Sequence, residues 1–246
     1  LFPNRSPRRN GFERASERLR DGPHLSTLGI AMANIRTWEG VSVDVQSSAA
    51  TALTISGITK ANPAVVTYTG TDPADGNYLY MSIQGMRELD GGVYRADNTV
   101  GGSDTTELEG VDSTLYGTFT SGTMQVVTLG SSMTIVRSLS ASGGDPNFID
   151  ISTIHDLQQR QLPGRTSPIS YTLECFWDPA DAGLIALKAA WATRATRVIK
   201  MTWPDGGFIL FAGNLSAPAA PTGSGGDVVT TPVSITIKGG ITYYAS

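Results

Sequence analysis

The stretch Arg197–Gly213, RVIKMTWPDGGFILFAG, is the clearest β-hairpin in the chain. Ile199, Met201 and Trp203 occupy every second position, which is the period of a strand with one buried face. The Pro-Asp-Gly-Gly segment that follows is a turn, because Asp-Gly and Gly-Gly reach positive φ at low cost. An apolar run then begins at Phe208 and predicts the second strand. This hairpin indicates antiparallel β-structure.

The same alternation recurs on both sides of the hairpin, in TWEGVSVDVQSS at Thr37–Ser48, SYTLECFW at Ser170–Trp177 and VSITIKGG at Val233–Gly240. Antiparallel sheets packed face to face fit this pattern, so a mainly β fold of the sandwich type is predicted. The residues expected on the core faces are Val41, Val43, Val45, Tyr171, Leu173, Cys175, Trp177, Val233, Ile235 and Ile237.

One passage, WDPADAGLIALKAAWAT at Trp177–Thr193, is helical in character. Asp178 is placed to cap the first turn, and Pro179 suits the first helical position. We therefore expect a helix at Pro179–Thr193 that covers the sheet face opposite to an exposed one. The side chains expected to face the sandwich are Ala180, Leu184, Leu187 and Trp191.

A second, short helix is predicted in ISTIHDLQQRQ at Ile151–Gln161, with Asp150 or Ser152 as its cap. Two segments without a hydrophobic pattern, RSLSASGGDPN at Arg137–Asn147 and SAPAAPTGSGGD at Ser216–Asp227, are predicted as loops that become ordered when subunits contact one another.

The predicted strands become very short between residues 52 and 130, where they are separated by Gly, Asp, Asn and Pro. This pattern is typical of a small β-barrel-like domain, here inserted at 52–130. Residues 32–51 and 131–246 are then expected to form the β-sandwich.

Residues 1–31 contain six of the 18 basic and three of the 22 acidic residues. The remaining 12 basic and 19 acidic residues give 32–246 a formal net charge of −7. An arginine-rich start is also typical of a nucleic-acid arm or a targeting segment. We favour a disordered or non-native extension, with Met32 as the natural start.

The composition describes a folded and weakly charged protein of 246 residues, 40% hydrophobic and 16% charged. No run approaches the roughly 20 apolar residues that cross a bilayer, so no membrane partner is expected. Cys175 is the single cysteine, which excludes an intrachain disulfide. The acidic body and scattered basic residues disfavour tight DNA binding.

Few residues are candidates for catalysis or for metal or cofactor binding. His155 lies next to Asp156 in sequence, but adjacent residues do not face each other on a helix, and a surface histidine is favoured. Cys175 is expected to be a small core residue. An acidic group, Asp104, Glu107, Glu109 and Asp112, lacks the EF-hand spacing. We predict no catalytic residue, no metal site and no cofactor.

Several segments, in this order, resemble the major tail tube proteins of long-tailed bacteriophages. They are DISTIHD at Asp150–Asp156, PGRTSPIS at Pro163–Ser170, the Trp-Asp-Pro that leads into the helix, the Asp205–Gly206 turn and APTG before the last strands. The segment 52–130 resembles a small β module of phage proteins, similar in fold to a domain of ubiquitin-activating enzymes. It contains no cysteine, so ubiquitin chemistry is not implied.

The resemblance implies a structural virion protein that assembles with itself, typically as hexameric rings, into a stacked hollow tube. Phage DNA passes through the lumen without specific binding. The implied partners are the tape-measure, tail tip and tail terminator proteins, and the implied location is the virion tail, assembled in the host cytoplasm. The inserted domain is expected on the outside of the tube.

Two alternatives remain open at this point. The first is another tail component, such as a tail terminator, a neck protein or a receptor-binding module. The second is a carbohydrate-active enzyme with paired carboxylates on a β scaffold, which requires a fixed separation of about 5–10 Å between the carboxyl groups.

Overall fold

The computed structural model describes residues 36–217 and 220–245. Residues 1–31, predicted to be an extension, lie outside the described residues. The strands are β1 Ser42–Ala49, β2 Leu53–Ile58, β3 Ala64–Thr69, β4 Tyr78–Gln84, β5 Val93–Val100, β6 Thr105–Leu108, β7 Ser121–Met133, β8 Val136–Ser142, β9 Pro146–Asp150, β10 Gln161–Thr166, β11 Ser170–Phe176, β12 Arg197–Thr202, β13 Phe208–Ser216, β14 Thr230–Ile237 and β15 Thr242–Tyr244; the helix α1 is Ala182–Thr193, and a 3₁₀ turn spans Arg87–Leu89.

Thirteen strands form one antiparallel sheet in the order β2-β3-β6-β5-β4-β7-β1-β12-β13-β14-β11-β8, with β15 beside β13. The first six strands close into a barrel because β7 also pairs with β2, Leu53 lying opposite Met124. The fold is therefore mainly β with a small barrel, as the sequence predicts.

Strand β7 joins the barrel to the rest of the sheet. Its first half pairs with β4, from Ser121 to Val127, and its second half pairs with β1, from Val127 to Met133. A strand of 13 residues spans about 44 Å, so one strand is long enough to serve both parts. Tyr68, Leu79 and Met81 lie in the core of the barrel. The division into domains at 52–130 stays a prediction.

The other strands surround a second core, which contains Val45, Leu173, Ile199, Phe211 and Ile235, each fully buried. The alternation predicted for β1, β11, β12 and β14 is thus present, with Tyr171 and Val41 partly buried at its margin.

Strand β13 departs from alternation because both of its faces are covered. Ile209 and Phe211 belong to the second core, whereas Phe208, Leu210 and Ala212 face a third cluster against the barrel and β15. A continuous apolar run in the sequence is the signature of a strand that is buried on both faces.

The helix begins later than predicted. Its N-cap is Asp181 and not Asp178, since Asp181 Oδ1 accepts a hydrogen bond from the Leu184 backbone N–H at 2.8 Å. Leu184 and Leu187 are buried as expected, but Ala180 precedes the helix and is exposed, and Trp191 is 44% exposed. The buried face also includes Gly183 and Ala190. A Cβ at Gly183 would clash with the Met133 side chain at the end of β7, so the close approach there requires glycine.

Candidate assembly surfaces

A two-stranded hairpin, formed by β9 and β10, is separate from the main sheet. Its strands pair with each other, Ile149 opposite Leu162 and Phe148 opposite Pro163. We call residues 146–166 the arm. The large apolar side chains of the arm are 46–103% exposed; they are Phe148, Ile149, Ile151, Ile154, Leu157 and Leu162.

The tip of the arm is held by polar contacts. Asp150 Oδ1 accepts hydrogen bonds from the Ser152 backbone N–H at 2.8 Å and from its hydroxyl at 2.6 Å. Asp150 Oδ2 accepts one from Gln159 Nε2 at 3.0 Å. These donors, the Ser152 hydroxyl foremost, lower the pKa of Asp150 to about 2. The segment 151–160 contains one turn, one bend and otherwise irregular backbone, so the short helix predicted there is wrong.

The arm has the features of a contact site for another chain. A hairpin of two strands is marginally stable by itself in water, and both faces of this one carry exposed apolar side chains. Adjacent strand residues point to opposite faces, so Phe148 and Ile149 cannot both be covered by one side of the same subunit. Apolar surface of this kind marks protein–protein contact sites.

Strand β8 presents a second surface, an open sheet edge. It ends the strand order and pairs with β11 through Leu139 opposite Leu173. Its other edge has no neighbouring strand within 36–217 and 220–245. Unpaired backbone donors and acceptors along such an edge are a template for another chain. The loop predicted at Arg137–Asn147 is wrong over residues 137–142, which form most of β8, and over residues 146–147, which begin β9.

The residues considered for chemistry are not brought together. His155 is exposed at the tip of the arm. Cys175 is fully buried among core residues, and burial is the main reason why the pKa of its thiol is raised to about 11. The described residues contain no group of three or more His, Cys, Asp or Glu side chains placed to hold a metal ion.

The carboxylates of Glu107 and Glu109, in the acidic group, have partners on β5. Glu109 forms an ion pair with Arg95, and Glu107 accepts a hydrogen bond from Asn98 Nδ2 at 2.9 Å. Glu109 also lines an open cleft of about 650 Å³ beside Tyr94 and Tyr243. The Glu109 carboxylate is paired with Arg95, so an ion pair stabilises the wall of the cleft at this point.

Strand β15 contacts both the barrel and the sheet and joins the two. Tyr244 stacks on Phe208 with ring centroids 5.1 Å apart, and the Arg95 guanidinium lies 5.1 Å from the Tyr244 ring centroid. The Tyr244 hydroxyl accepts a hydrogen bond from the Arg95 backbone N–H at 2.8 Å, and Thr242 Oγ1 donates to Val93 O at 2.7 Å. Within the described residues, no helix is long and apolar enough to span a bilayer.

An apolar arm and an open strand edge define a structural β protein suited to contact other chains. Residues 84–246 match the family described as phage tail tube protein, TTP, and the chain belongs to this family. The match begins in β4 and so includes part of the barrel. The protein is a structural component of a phage tail.

A solved structure described as "Tail of empty GTA particle computed with helical refinement, C6 symmetry" is also similar to this chain. It shares 12% sequence identity and a TM-score of 0.35, over 49% of this chain and 87% of the other. A search of curated proteins finds no match.

Proposed function

We propose that the protein assembles with itself into stacked hexameric rings that form the tube of a phage tail. The bore conducts DNA and the tape-measure protein, and the tube ends meet the tail tip and tail terminator proteins. The subunit is made and assembled in the host cytoplasm and catalyses no reaction. Family membership supports the tube, and the hexameric number rests on the resemblance to tail tube proteins.

The exposed arm is the observation that carries this proposal. Six large apolar side chains on a two-stranded hairpin are costly to leave in water, since burying one such side chain contributes about 1.5–3 kcal/mol. A subunit contact recovers this free energy. In a ring, the open edge of β8 would be completed by a neighbouring subunit, which also satisfies its backbone hydrogen bonds.

The test compares two leucines that are equally exposed. Leu157 in the arm is 103% exposed, and Leu115 in the barrel is 95% exposed. Neither side chain is buried in the subunit, so an aspartate at either position should leave the subunit folded. We expect Leu157→Asp to abolish tube formation by concentrated protein in negative-stain electron microscopy, whereas Leu115→Asp and the wild type form tubes.

Failure of the wild-type protein to form rings or tubes at high concentration would contradict the tube. Single rings that do not stack would instead indicate a tail terminator. Normal tubes from Leu157→Asp, with circular dichroism that matches the wild type, would remove the arm from the assembly contacts.

A further inference from the structure

The open cleft beside the barrel is lined mainly by tyrosine and acidic side chains. It has a volume of about 650 Å³, with β15 on one side and barrel residues on the other. Its aromatic and acidic lining includes Tyr94, Tyr116, Tyr243, Glu88 and Asp112. We call it the tyrosine cleft. Among the described residues, no lysine, arginine or histidine lines it. A cleft lined by one sign of charge attracts ligands of the other sign, so a cationic ligand is favoured.

One wall of the tyrosine cleft shows how this protein binds a cation. The Arg95 guanidinium donates two hydrogen bonds to the carboxylate of Glu109 and lies 5.1 Å from the ring centroid of Tyr244. Glu109 and Tyr244 both line the cleft. A guanidinium suits this pair of groups because it matches a carboxylate with two N–H donors and also stacks on an aromatic ring.

The rest of the cleft presents the same two types of side chain. Tyr243 is 53% exposed and Tyr116 is half-buried, so ring surface is accessible from the cleft. Glu88 and Asp112 are exposed, and each accepts a hydrogen bond from a backbone N–H, at 3.2 Å and 3.0 Å respectively. These bonds orient the two carboxylates. Neither carboxylate forms an ion pair with another described residue, so both charges are available to a ligand.

The hydroxyl of Tyr94 is an independent sign of a ligand. Tyr94 lines the cleft and is 5% exposed. Its hydroxyl lies 3.5 Å from the Glu88 backbone oxygen, whereas an O–H···O hydrogen bond is about 2.5–3.0 Å long. Buried polar groups normally have well-placed partners in folded proteins. The Tyr94 oxygen is therefore available to accept a hydrogen bond from an N–H donor in the cleft.

The spacing of the carboxylates favours an organic cation over a metal ion. A metal ion needs several ligand atoms within about 2.0–2.6 Å of one point. The described residues contain no group of three or more acidic, histidine or cysteine side chains placed in this way. The cleft volume of about 650 Å³ instead lies in the range of small-molecule sites, roughly 300–1,000 Å³.

We infer that the tyrosine cleft binds an extended organic cation that carries primary ammonium or guanidinium groups. Glu88 and Asp112 pair with the cationic groups, Tyr116 and Tyr243 contact them with their rings, and the Tyr94 hydroxyl accepts an N–H hydrogen bond. Such groups occur in a free polyamine and in a basic segment of another protein. The inference goes beyond the proposed function and does not depend on whether subunits form tubes.

Isothermal titration calorimetry of the unassembled full chain at low salt tests the inference with two probes, spermidine and a tri-arginine peptide. The cleft variant combines Glu88→Gln with Asp112→Asn, which preserves side-chain shape and removes two charges. The matched control combines Asp75→Asn with Asp97→Asn. Asp75 and Asp97 are exposed, lie outside the cleft lining and each accept a backbone N–H hydrogen bond, so the control loses the same charge and similar contacts.

We expect the cleft variant to bind the preferred probe about 2- to 30-fold more weakly than the wild type, since two exposed ion pairs of about 0.2–1 kcal/mol each are lost. The control should bind it as the wild type does. Equal weakening in both variants would overturn the inference, because it would show general attraction to an acidic protein. No binding of either probe to the wild type would also overturn it, as would tighter binding of the neutral trisaccharide maltotriose.

The contribution of the rings is measured at Tyr243. Tyr243→Leu should weaken binding about two- to fivefold, whereas Tyr243→Phe keeps the ring and should bind as the wild type does. Unchanged binding by Tyr243→Leu would contradict the role assigned to this ring. The better probe identifies the source of the cation: tri-arginine indicates a basic protein segment, and spermidine indicates a free polyamine. Failure of the protein to form tubes would refute the proposed function and leave these results unchanged.

Discussion

Leu187 lies at the centre of the contact between the helix and the sheet, where it is fully buried with Leu184 and Ile199. Truncating such a residue to alanine costs about 2–5 kcal/mol. An aspartate adds the penalty of an unpaired buried charge. We therefore expect Leu187→Asp to yield unfolded or insoluble subunits and no tubes, and Leu187→Ala to lower the free energy of unfolding by about 2–5 kcal/mol in chemical denaturation.

Ile185 provides the control for this prediction, since it lies two positions earlier on the same helix and is 52% exposed. Ile185→Asp should change the free energy of unfolding of the subunit by less than about 1 kcal/mol. Native stability in Leu187→Asp would refute the placement of the helix. Helical periodicity alone predicted Leu184 and Leu187 but misplaced Trp191, which is 44% exposed, whereas its neighbour Ala190 is fully buried. Periodicity places residues on a face of the helix but does not show how far the sheet extends beneath that face.

At the scale of elements, the arm is separable from the sheet, whereas β8 is not. The Ser167 backbone N–H donates to Asp145 O at 2.9 Å, so the two ends of the arm are already adjacent. Replacing residues 147–165 by two glycines should give a soluble, folded subunit that does not polymerise. Deleting residues 137–147 removes β8 and exposes the edge of β11, so we expect that variant to be insoluble or much less stable.

Size-exclusion chromatography and thermal unfolding distinguish the two deletions. A folded, soluble protein lacking 137–147 would show that β8 contributes little to the sheet. The sequence contained the signal for β8, since Leu139 and Ala141 alternate with Ser138, Ser140 and Ser142. A small polar strand resembles a loop because its outward residues are also favoured in turns. The arm was harder to predict, because its apolar residues stay exposed on a hairpin that is separate from the main sheet.

At the scale of the whole molecule, local patterns predicted both a barrel and a sandwich but not the way they are joined. The barrel is closed by pairing Leu53 with Met124, 71 positions apart in the chain, and β7 continues from it into the second core. Alternation identifies a strand without identifying its neighbours. The contact of β15 with the barrel could not be predicted from local sequence patterns either, since Arg95 and Tyr244 are 149 positions apart.

Tyr244 contacts both the barrel and the sheet, and we expect it to couple the unfolding of the two. It is 6% exposed, stacks on Phe208 and accepts the Arg95 backbone hydrogen bond. Because β7 runs through both cores, the wild-type subunit should unfold in one calorimetric transition.

Tyr244→Ala removes the ring from the junction and should lower the free energy of unfolding by about 3–5 kcal/mol, as for other buried aromatic residues. If the junction couples the two cores, the barrel and the sheet of this variant should unfold in separate transitions. Tyr244→Phe keeps the ring and loses only the acceptor for the Arg95 N–H, so it should cost about 1–3 kcal/mol and retain one transition. Equal effects of the two variants would assign the coupling to the hydrogen bond, and a single transition in Tyr244→Ala would show that β7 alone holds the two parts together.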